Sequence, residues 1–62
     1  MPSYYYQLLP TEKSLLQERY QSHEYNNLQK CIEAAEQAGR LLDAPWHVFE
    51  KTPSTSEFFQ IL

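Results

Sequence analysis

The chain has 62 residues, of which 42% are hydrophobic and 21% are charged. A chain of this length is expected to form one small domain, residues 1–62, that hides only about 60% of the surface exposed by its unfolded form. Five basic residues are spread along the chain against eight acidic ones, and the net charge of −3 excludes the concentrated positive charge that duplex nucleic-acid binding needs.

The first predicted element is a strand over residues 3–9. The three consecutive tyrosines in this segment lose rotamer freedom in a helix and pack well on a pleated sheet, and Pro10 ends the segment. The local pattern of residues 14–25 slightly favours a helical stripe, and their strand alternation is weak. We interpret them as a strand, because the proline favours a turn at residues 9–12 and a lone first strand would lack a neighbour. A helix over residues 12–25 stays open as an alternative.

The next predicted element is a helix from about Asn27 to Leu42. Apolar residues recur along this segment at three- and four-residue spacing, and charged and amide side chains occupy the opposite side. Asn26 is the predicted N-cap, with Gln29 three residues later. Gly39 either ends the helix as a left-handed cap or lets the helix backbone lie close against a neighbour.

The last part of the chain predicts a hairpin. Trp46 to Lys51 is rich in aromatic and branched residues, which favour a strand. Pro53 suits the second position of a type I turn over residues 52–55, and residues 56–62 would form the returning strand. Ser54 with Glu57 three residues later also fits a capping box, so a short C-terminal helix over residues 55–62 is the other interpretation.

These elements predict an α+β fold of order ββαββ, a small four-stranded antiparallel sheet with one amphipathic helix on one face and the other face open. Side chains of a strand alternate between the two faces, which divides the apolar and polar strand residues into two sets. The expected helix-facing set is Tyr4, Tyr6, Leu8, Trp46, Val48, Phe59 and Ile61. The expected outward set is Tyr5, Gln7, His47, Phe49, Phe58 and Gln60.

Few residues suggest chemistry. Cys31 is the one cysteine, but it lies in the apolar stripe of the predicted helix, where a thiol behaves as a small hydrophobe. His23 and His47 stand at no metal-ligand spacing with each other or with Cys31, and Gly39 alone cannot form a phosphate-binding loop. We therefore expect no catalytic residues, no metal and no cofactor. The lone cysteine, which cannot form an intramolecular disulfide, indicates a cytoplasmic protein.

The outward set carries the functional prediction. Tyrosine and phenylalanine mixed with glutamine and histidine on an open sheet are typical of a protein interface, and a sheet face that is simply solvated is the other interpretation. We expect a non-enzymatic interaction module, a small accessory or regulatory protein that binds another protein or itself as a homodimer, because added buried surface would stabilise a thin core.

The second hypothesis is single-stranded nucleic-acid binding. Bases would stack on Tyr5, Phe49 and Phe58, with Lys51 and Arg19 near the phosphates, although the net negative charge opposes it. No membrane partner is expected, because the longest apolar runs are two or three residues and cannot span a bilayer.

Overall fold

A computed structural model describes all 62 residues and contains one sheet and one helix. The sheet has the strand order β2-β1-β3-β4, and every neighbouring pair is antiparallel. The predicted α+β fold, a four-stranded antiparallel sheet with a single helix, is therefore confirmed. The elements in chain order are β1 (Ser3–Leu8), β2 (Tyr20–Gln21), α1 (Leu28–Leu42), β3 (Trp46–Lys51) and β4 (Phe59–Gln60).

The core lies between α1 and the two central strands. β1 and β3 pair along their whole length, from Ser3 opposite Lys51 to Leu8 opposite Trp46. Every second side chain of β1 is buried against the helix, as the alternation predicts. The buried apolar residues are Tyr4, Tyr6 and Leu8 of β1, Val48 of β3, Cys31 and Ala35 of α1, and Ala44.

The two ends of α1 differ from the prediction in detail. The N-cap is Asn27 rather than Asn26, because the Asn27 side-chain oxygen accepts a hydrogen bond from the Lys30 backbone N–H at 3.0 Å. At the other end Asp43 has a φ of 52° in the left-handed region, and its N–H donates to the Gly39 carbonyl. The helix therefore continues past Gly39, which is not its cap.

The other prediction for Gly39, that it lets the helix backbone lie close against a neighbour, is confirmed. A Cβ atom at this position would lie 2.9 Å from the Ala44 carbonyl oxygen and 2.9 Å from Cδ1 of Trp46. Both distances are shorter than real Cβ contacts allow. The last turns of α1 thus lie directly against the start of β3, and a side chain at residue 39 would require Ala44 or Trp46 to move.

The prediction of a strand over residues 14–25 is wrong except for β2, and the predicted turn at residues 9–12 is a loop over residues 9–19. Local side-chain hydrogen bonds help to hold this loop. Within the loop, the Ser14 hydroxyl accepts from the Thr11 N–H at 3.0 Å and the Thr11 hydroxyl accepts from the Ser14 N–H at 3.2 Å. The Leu15 N–H donates to the Leu42 carbonyl at 2.8 Å, which ties the loop to the end of α1.

A β-bulge follows β2. Leu8 lies opposite Tyr20, and Tyr4 lies opposite Tyr25 in an isolated bridge. Four steps along β1 therefore correspond to five steps along the partner segment, so the partner contains one extra residue. The weak alternation of residues 14–25 in the sequence is partly explained by this interruption.

Ser22 holds the bulge in place. Its hydroxyl accepts a hydrogen bond from the Tyr6 backbone N–H at 2.9 Å and donates one to the His23 carbonyl at 2.8 Å. A side chain thus replaces a ladder hydrogen bond where the pairing changes register. Ser22 is buried, so these bonds satisfy polar groups that water cannot reach.

The C-terminal hairpin forms as predicted but with a shorter strand. The Thr55 N–H donates to the Thr52 carbonyl at 3.0 Å, which closes the predicted turn with Pro53 at its second position. Within residues 55–62 only Phe59–Gln60 is strand, and the alternative of a short helix there is wrong. The Ile61 N–H donates to the Val48 carbonyl at 2.8 Å, and Leu62 exchanges hydrogen bonds of 3.3 Å with Val48 in both directions, so the pairing continues through Leu62.

The helix does not reach β4. It contacts β1 and β3 only, because a helix with side chains is about 10–12 Å wide and strands are about 4.8 Å apart. Phe59 and Ile61 are therefore 54% and 40% exposed, and the prediction that the helix shelters them is wrong. No helix of the fold has the length and the apolar character that crossing a membrane requires.

Candidate interaction face

The face of the sheet opposite α1 is the candidate site, and we call it the outer face. The register places Tyr5 beside Phe49 and Gln7 beside His47, and Gln60 of β4 lies on the other side of Phe49. Phe58, which precedes β4, contacts Tyr5. The structure thus brings together on one surface all the residues of the predicted outward set: Tyr5, Gln7, His47, Phe49, Phe58 and Gln60.

Three rings form an aromatic cluster at the centre of the outer face. Tyr5 and Phe49 are a cross-strand pair whose ring centroids are 4.9 Å apart with an interplanar angle of 7°. The ring of Phe58 meets Tyr5 edge-on at 4.6 Å and 75°. These are the stacked and T-shaped arrangements that aromatic pairs prefer. All three residues are half-buried, and no helix lies over them.

Lys51 belongs to the same surface, and it was not in the predicted outward set. Its Nζ atom lies 5.5 Å from the centroid of the Phe58 ring, within the range of a cation–π contact. Lys51 is two residues beyond Phe49 on β3, so strand alternation alone could have assigned it to the outer face. It is the one charged residue at the outer-face positions of β1 and β3.

Polar side chains border the aromatic cluster. The Gln60 amide nitrogen lies 3.1 Å from Nδ1 of His47 and 3.3 Å from the Leu62 carbonyl oxygen. The Gln60 amide donates to Nδ1 when the proton of a neutral His47 is on Nε2. Gln7 extends this border along β1. The outer face therefore combines an apolar centre with a polar margin that can donate and accept hydrogen bonds.

The other chemically interesting residues lie apart from one another. Cys31 is fully buried in the core, where burial raises the pKa of its thiol, and the prediction of a core position is confirmed. His23 lies in the bulge with its ring 4.3 Å from that of Tyr25, whereas His47 is on the outer face. No three potential metal ligands come together in the structure.

An open groove of about 670 Å³ lies at the C-terminal end of α1, away from the outer face. Its charged lining residues are two basic ones, Lys13 and Arg40, and two acidic ones, Glu36 and Asp43. The Arg40 Nη2 and Glu36 Oε2 atoms are 4.0 Å apart, and both side chains are accessible to solvent. With two charges of each sign in so open a site, the groove favours no particular class of ligand.

Comparison of the chain with protein-family models, with curated proteins and with solved structures finds no match. The geometry of the outer face therefore carries the functional argument.

Proposed function

We propose that the protein is a non-enzymatic protein–protein interaction module, a small accessory or regulatory protein that self-associates through the outer face of its sheet. The observation that carries the proposal is the cluster of Tyr5, Phe49 and Phe58 on a face that no helix covers. Aromatic residues are enriched at the centres of protein interfaces, where a few of them supply most of the binding energy. The amide and imidazole groups at its border supply the polar rim of such an interface.

The charge distribution supports association between copies. The chain carries a net charge of −3, yet Lys51 is the one charged residue at the outer-face positions of the two central strands. Two copies that meet through this face bring no acidic side chains of those strands together, so the repulsion between like charges stays small. Burial of the aromatic cluster would in turn stabilise a fold whose own core is small.

We also propose that the protein is cytoplasmic. Its one cysteine is buried and cannot form a disulfide within the chain, and small secreted domains usually depend on disulfides for stability.

A double substitution tests the proposal. We expect the wild type to sediment as a dimer at micromolar to millimolar concentration and the variant with Phe49→Ser and Phe58→Ser to sediment as a folded monomer with its helix retained. Leu41→Ser is the matched control, because Leu41 is an exposed apolar residue on the helix. A wild type that stays monomeric over this range would contradict self-association, and a folded double variant that still dimerises would contradict the role of the aromatic cluster.

Single-stranded nucleic-acid binding is the second candidate, and the contact of Lys51 with Phe58 beside two stacked rings favours it. However, one cationic residue at the outer-face positions of the central strands is too few to neutralise several phosphates of a nucleic-acid backbone. Fluorescence anisotropy of a labelled single-stranded oligonucleotide at low salt tests this candidate, and binding that the double variant loses would support it. Trp46 fluorescence is a poor reporter, because Trp46 packs against Gly39 on the helix side of the sheet.

A further inference from the structure

Two side chains on the outer face share a hydrogen bond whose direction depends on one proton. The Gln60 Nε2 atom lies 3.1 Å from Nδ1 of His47 and 3.3 Å from the Leu62 carbonyl oxygen. The amide nitrogen of glutamine is a donor only, so it satisfies both groups when Nδ1 of His47 carries no proton. This arrangement therefore belongs to a neutral imidazole with its proton on Nε2.

In this neutral state the His47–Gln60 pair offers a partner one donor and one acceptor. The Nε2–H of His47 and Oε1 of Gln60 make no hydrogen bond within the chain, and neither residue is buried. In an interface with two-fold symmetry the same surface patch occurs on both copies. The donor of each copy can therefore meet the acceptor of the other, which gives two hydrogen bonds across the interface.

Protonation of His47 removes this complementarity. Nδ1 then becomes a donor, and the Leu62 carbonyl oxygen at 3.3 Å can accept from it. The NH₂ group of Gln60 now faces another donor, so the amide must turn and present Oε1 to Nδ1–H. The groups left for a partner are the His47 Nε2–H and the Gln60 NH₂, which are both donors. Two copies of such a pair cannot hydrogen-bond to each other.

No acidic side chain on the outer face compensates for a positive charge on His47. His47 lies opposite Gln7, and Tyr5 is the titratable residue at the outer-face positions of β1. On the other side of β3, the outer-face residue of β4 is Gln60. On β3 itself the charged residue of this face is Lys51, a cation. A charged His47 therefore adds a second positive charge to the face.

Copies that meet at the aromatic cluster bring this charge against another cation. His47 and Lys51 lie two residues before and two residues after Phe49 on β3. If the strands of two stacked copies run in the same direction, each charged His47 faces the His47 of the second copy. If they run in opposite directions, it faces Lys51 of the second copy. Like charges oppose association in both arrangements.

We propose that protonation of His47 is a switch that weakens self-association through the outer face as the pH falls from about 7.5 to about 5.5. This switch rests on the proposed function and adds a regulation to it. Histidine is the side chain whose charge ordinarily changes between about pH 5 and 8. Because a two-fold dimer contains two copies of His47, the Kd should rise by at least about tenfold over this range, and by up to about a hundredfold if only neutral copies pair.

The direction of this response separates the switch from an effect of net charge. Proton uptake by histidines moves the net charge of −3 toward zero. That change on its own reduces the repulsion between copies and would tighten the dimer as the pH falls. A dimer that weakens instead indicates a local effect at the outer face.

Sedimentation of the full chain at about pH 7.5 and about pH 5.5, in about 0.15 M salt, tests the switch. We expect the wild type to show the rise in Kd. His23→Gln is the matched control and should show the same rise, because His23 lies in the bulge and not on the outer face. His47→Gln, whose amide oxygen can accept from Gln60 but takes up no proton, should have the same Kd at both pH values. This variant also controls for acid unfolding, which would weaken its dimer too.

The ¹⁵N chemical shifts of the His47 ring provide a second measurement that does not depend on association. They distinguish the two neutral tautomers, and we expect the proton on Nε2 at the higher pH. A neutral His47 with its proton on Nδ1 overturns the switch, because the Gln60 amide could not then donate to that atom.

The outcomes distinguish the switch from the proposed function. A dimeric wild type whose Kd is unchanged or lower at the lower pH overturns the switch and leaves self-association in place, as does a response that His47→Gln keeps or that His23→Gln loses. If His47→Gln does not dimerise, His23→Gln decides alone, because the chain has two histidines. A wild type that is monomeric at both pH values overturns both.

Discussion

Replacement of Gly39 by alanine sets two effects of opposite sign against each other. Alanine is the best helix former, and at an exposed position inside a helix it stabilises by about 1 kcal/mol relative to glycine. At Gly39 the new Cβ would lie 2.9 Å from the Ala44 carbonyl oxygen and 2.9 Å from Cδ1 of Trp46. The sign of the result depends on whether these two neighbours can move.

The structure indicates that Ala44 cannot move easily. The clashing oxygen belongs to the backbone, and the Ala44 N–H donates to the Gly39 carbonyl at 3.0 Å just after the left-handed cap at Asp43. Overpacking of a tight contact costs about 1–3 kcal/mol. After the gain of about 1 kcal/mol in helix propensity, we expect Gly39→Ala to lower the free energy of unfolding by up to about 2 kcal/mol.

Urea unfolding followed by circular dichroism and by Trp46 fluorescence measures the effect. In a thermal melt of the same proteins, a loss of 1 kcal/mol corresponds to a fall of about 4–8 °C in Tm for a domain of this size, so the change is readily detected. Gln37→Gly is the matched control, because Gln37 is exposed on the same helix and reports helix propensity without a clash. A Gly39→Ala variant more stable than the wild type would refute the close approach of α1 to β3.

Three further predictions concern the core, the bulge and the pH dependence. Leu8→Ala should lower the free energy of unfolding by about 2–5 kcal/mol and lower Tm in a thermal melt, because Leu8 is 1% exposed. Leu41→Ala, at a residue that is 77% exposed, should change the free energy of unfolding by less than about 0.5 kcal/mol. Equal effects would contradict the placement of the core. Ser22→Ala leaves the buried Tyr6 N–H without its acceptor and should cost about 1–3 kcal/mol in urea unfolding, and a loss no larger than that of the exposed Ser56→Ala would mean that the bulge does not need the hydroxyl. Burial, and to a smaller extent the neighbouring tyrosines and the core thiol, raises the pKa of Tyr6 above 10.0. The Tyr6 hydroxyl therefore keeps its proton to a higher pH in the folded state than in the unfolded state. The resulting contribution to the free energy of unfolding is complete below pH 10 and is lost as the pH rises through the folded pKa. Tyr6→Phe should therefore flatten the fall in the free energy of unfolding above pH 10, and an unchanged slope would contradict the assignment.

The elements that the sequence predicts well are those whose signals are local and strong. The apolar spacing of α1 spans four turns, and β3 is a run of aromatic and branched residues that the structure confirms from Trp46 to Lys51. Pro53 restricts its own backbone to the geometry of a turn. Such patterns need no knowledge of the rest of the chain.

The parts that sequence reasoning missed depend on particular hydrogen bonds or on neighbours distant in the chain. Asn26 and Asn27 are equally good capping residues, and only the structure selects the second. The bulge held by Ser22 interrupts the alternation that would have identified the second strand. The loop over residues 9–19 is held by its own side chains and by the end of α1.

The candidate site was predictable in part for a related reason. Alternation along a strand assigns residues to a face, so Tyr5, Phe49 and their companions share one surface as expected. Whether a face is covered depends on the order of strands in the sheet, which single-sequence patterns do not give. The exposure of Phe59 and Ile61 follows from the position of β4 at the edge, beyond the reach of the helix.

A concentration series of amide ¹H–¹⁵N correlation spectra tests self-association through the outer face most directly, because it locates the contact residue by residue in the unmodified protein. From micromolar to millimolar concentration, we predict progressive shifts of the amides of Tyr5, Phe49 and Gln60, while Glu33 and Gln37 on the solvent side of α1 stay constant. Spectra that do not change with concentration, or shifts confined to α1, would contradict the account.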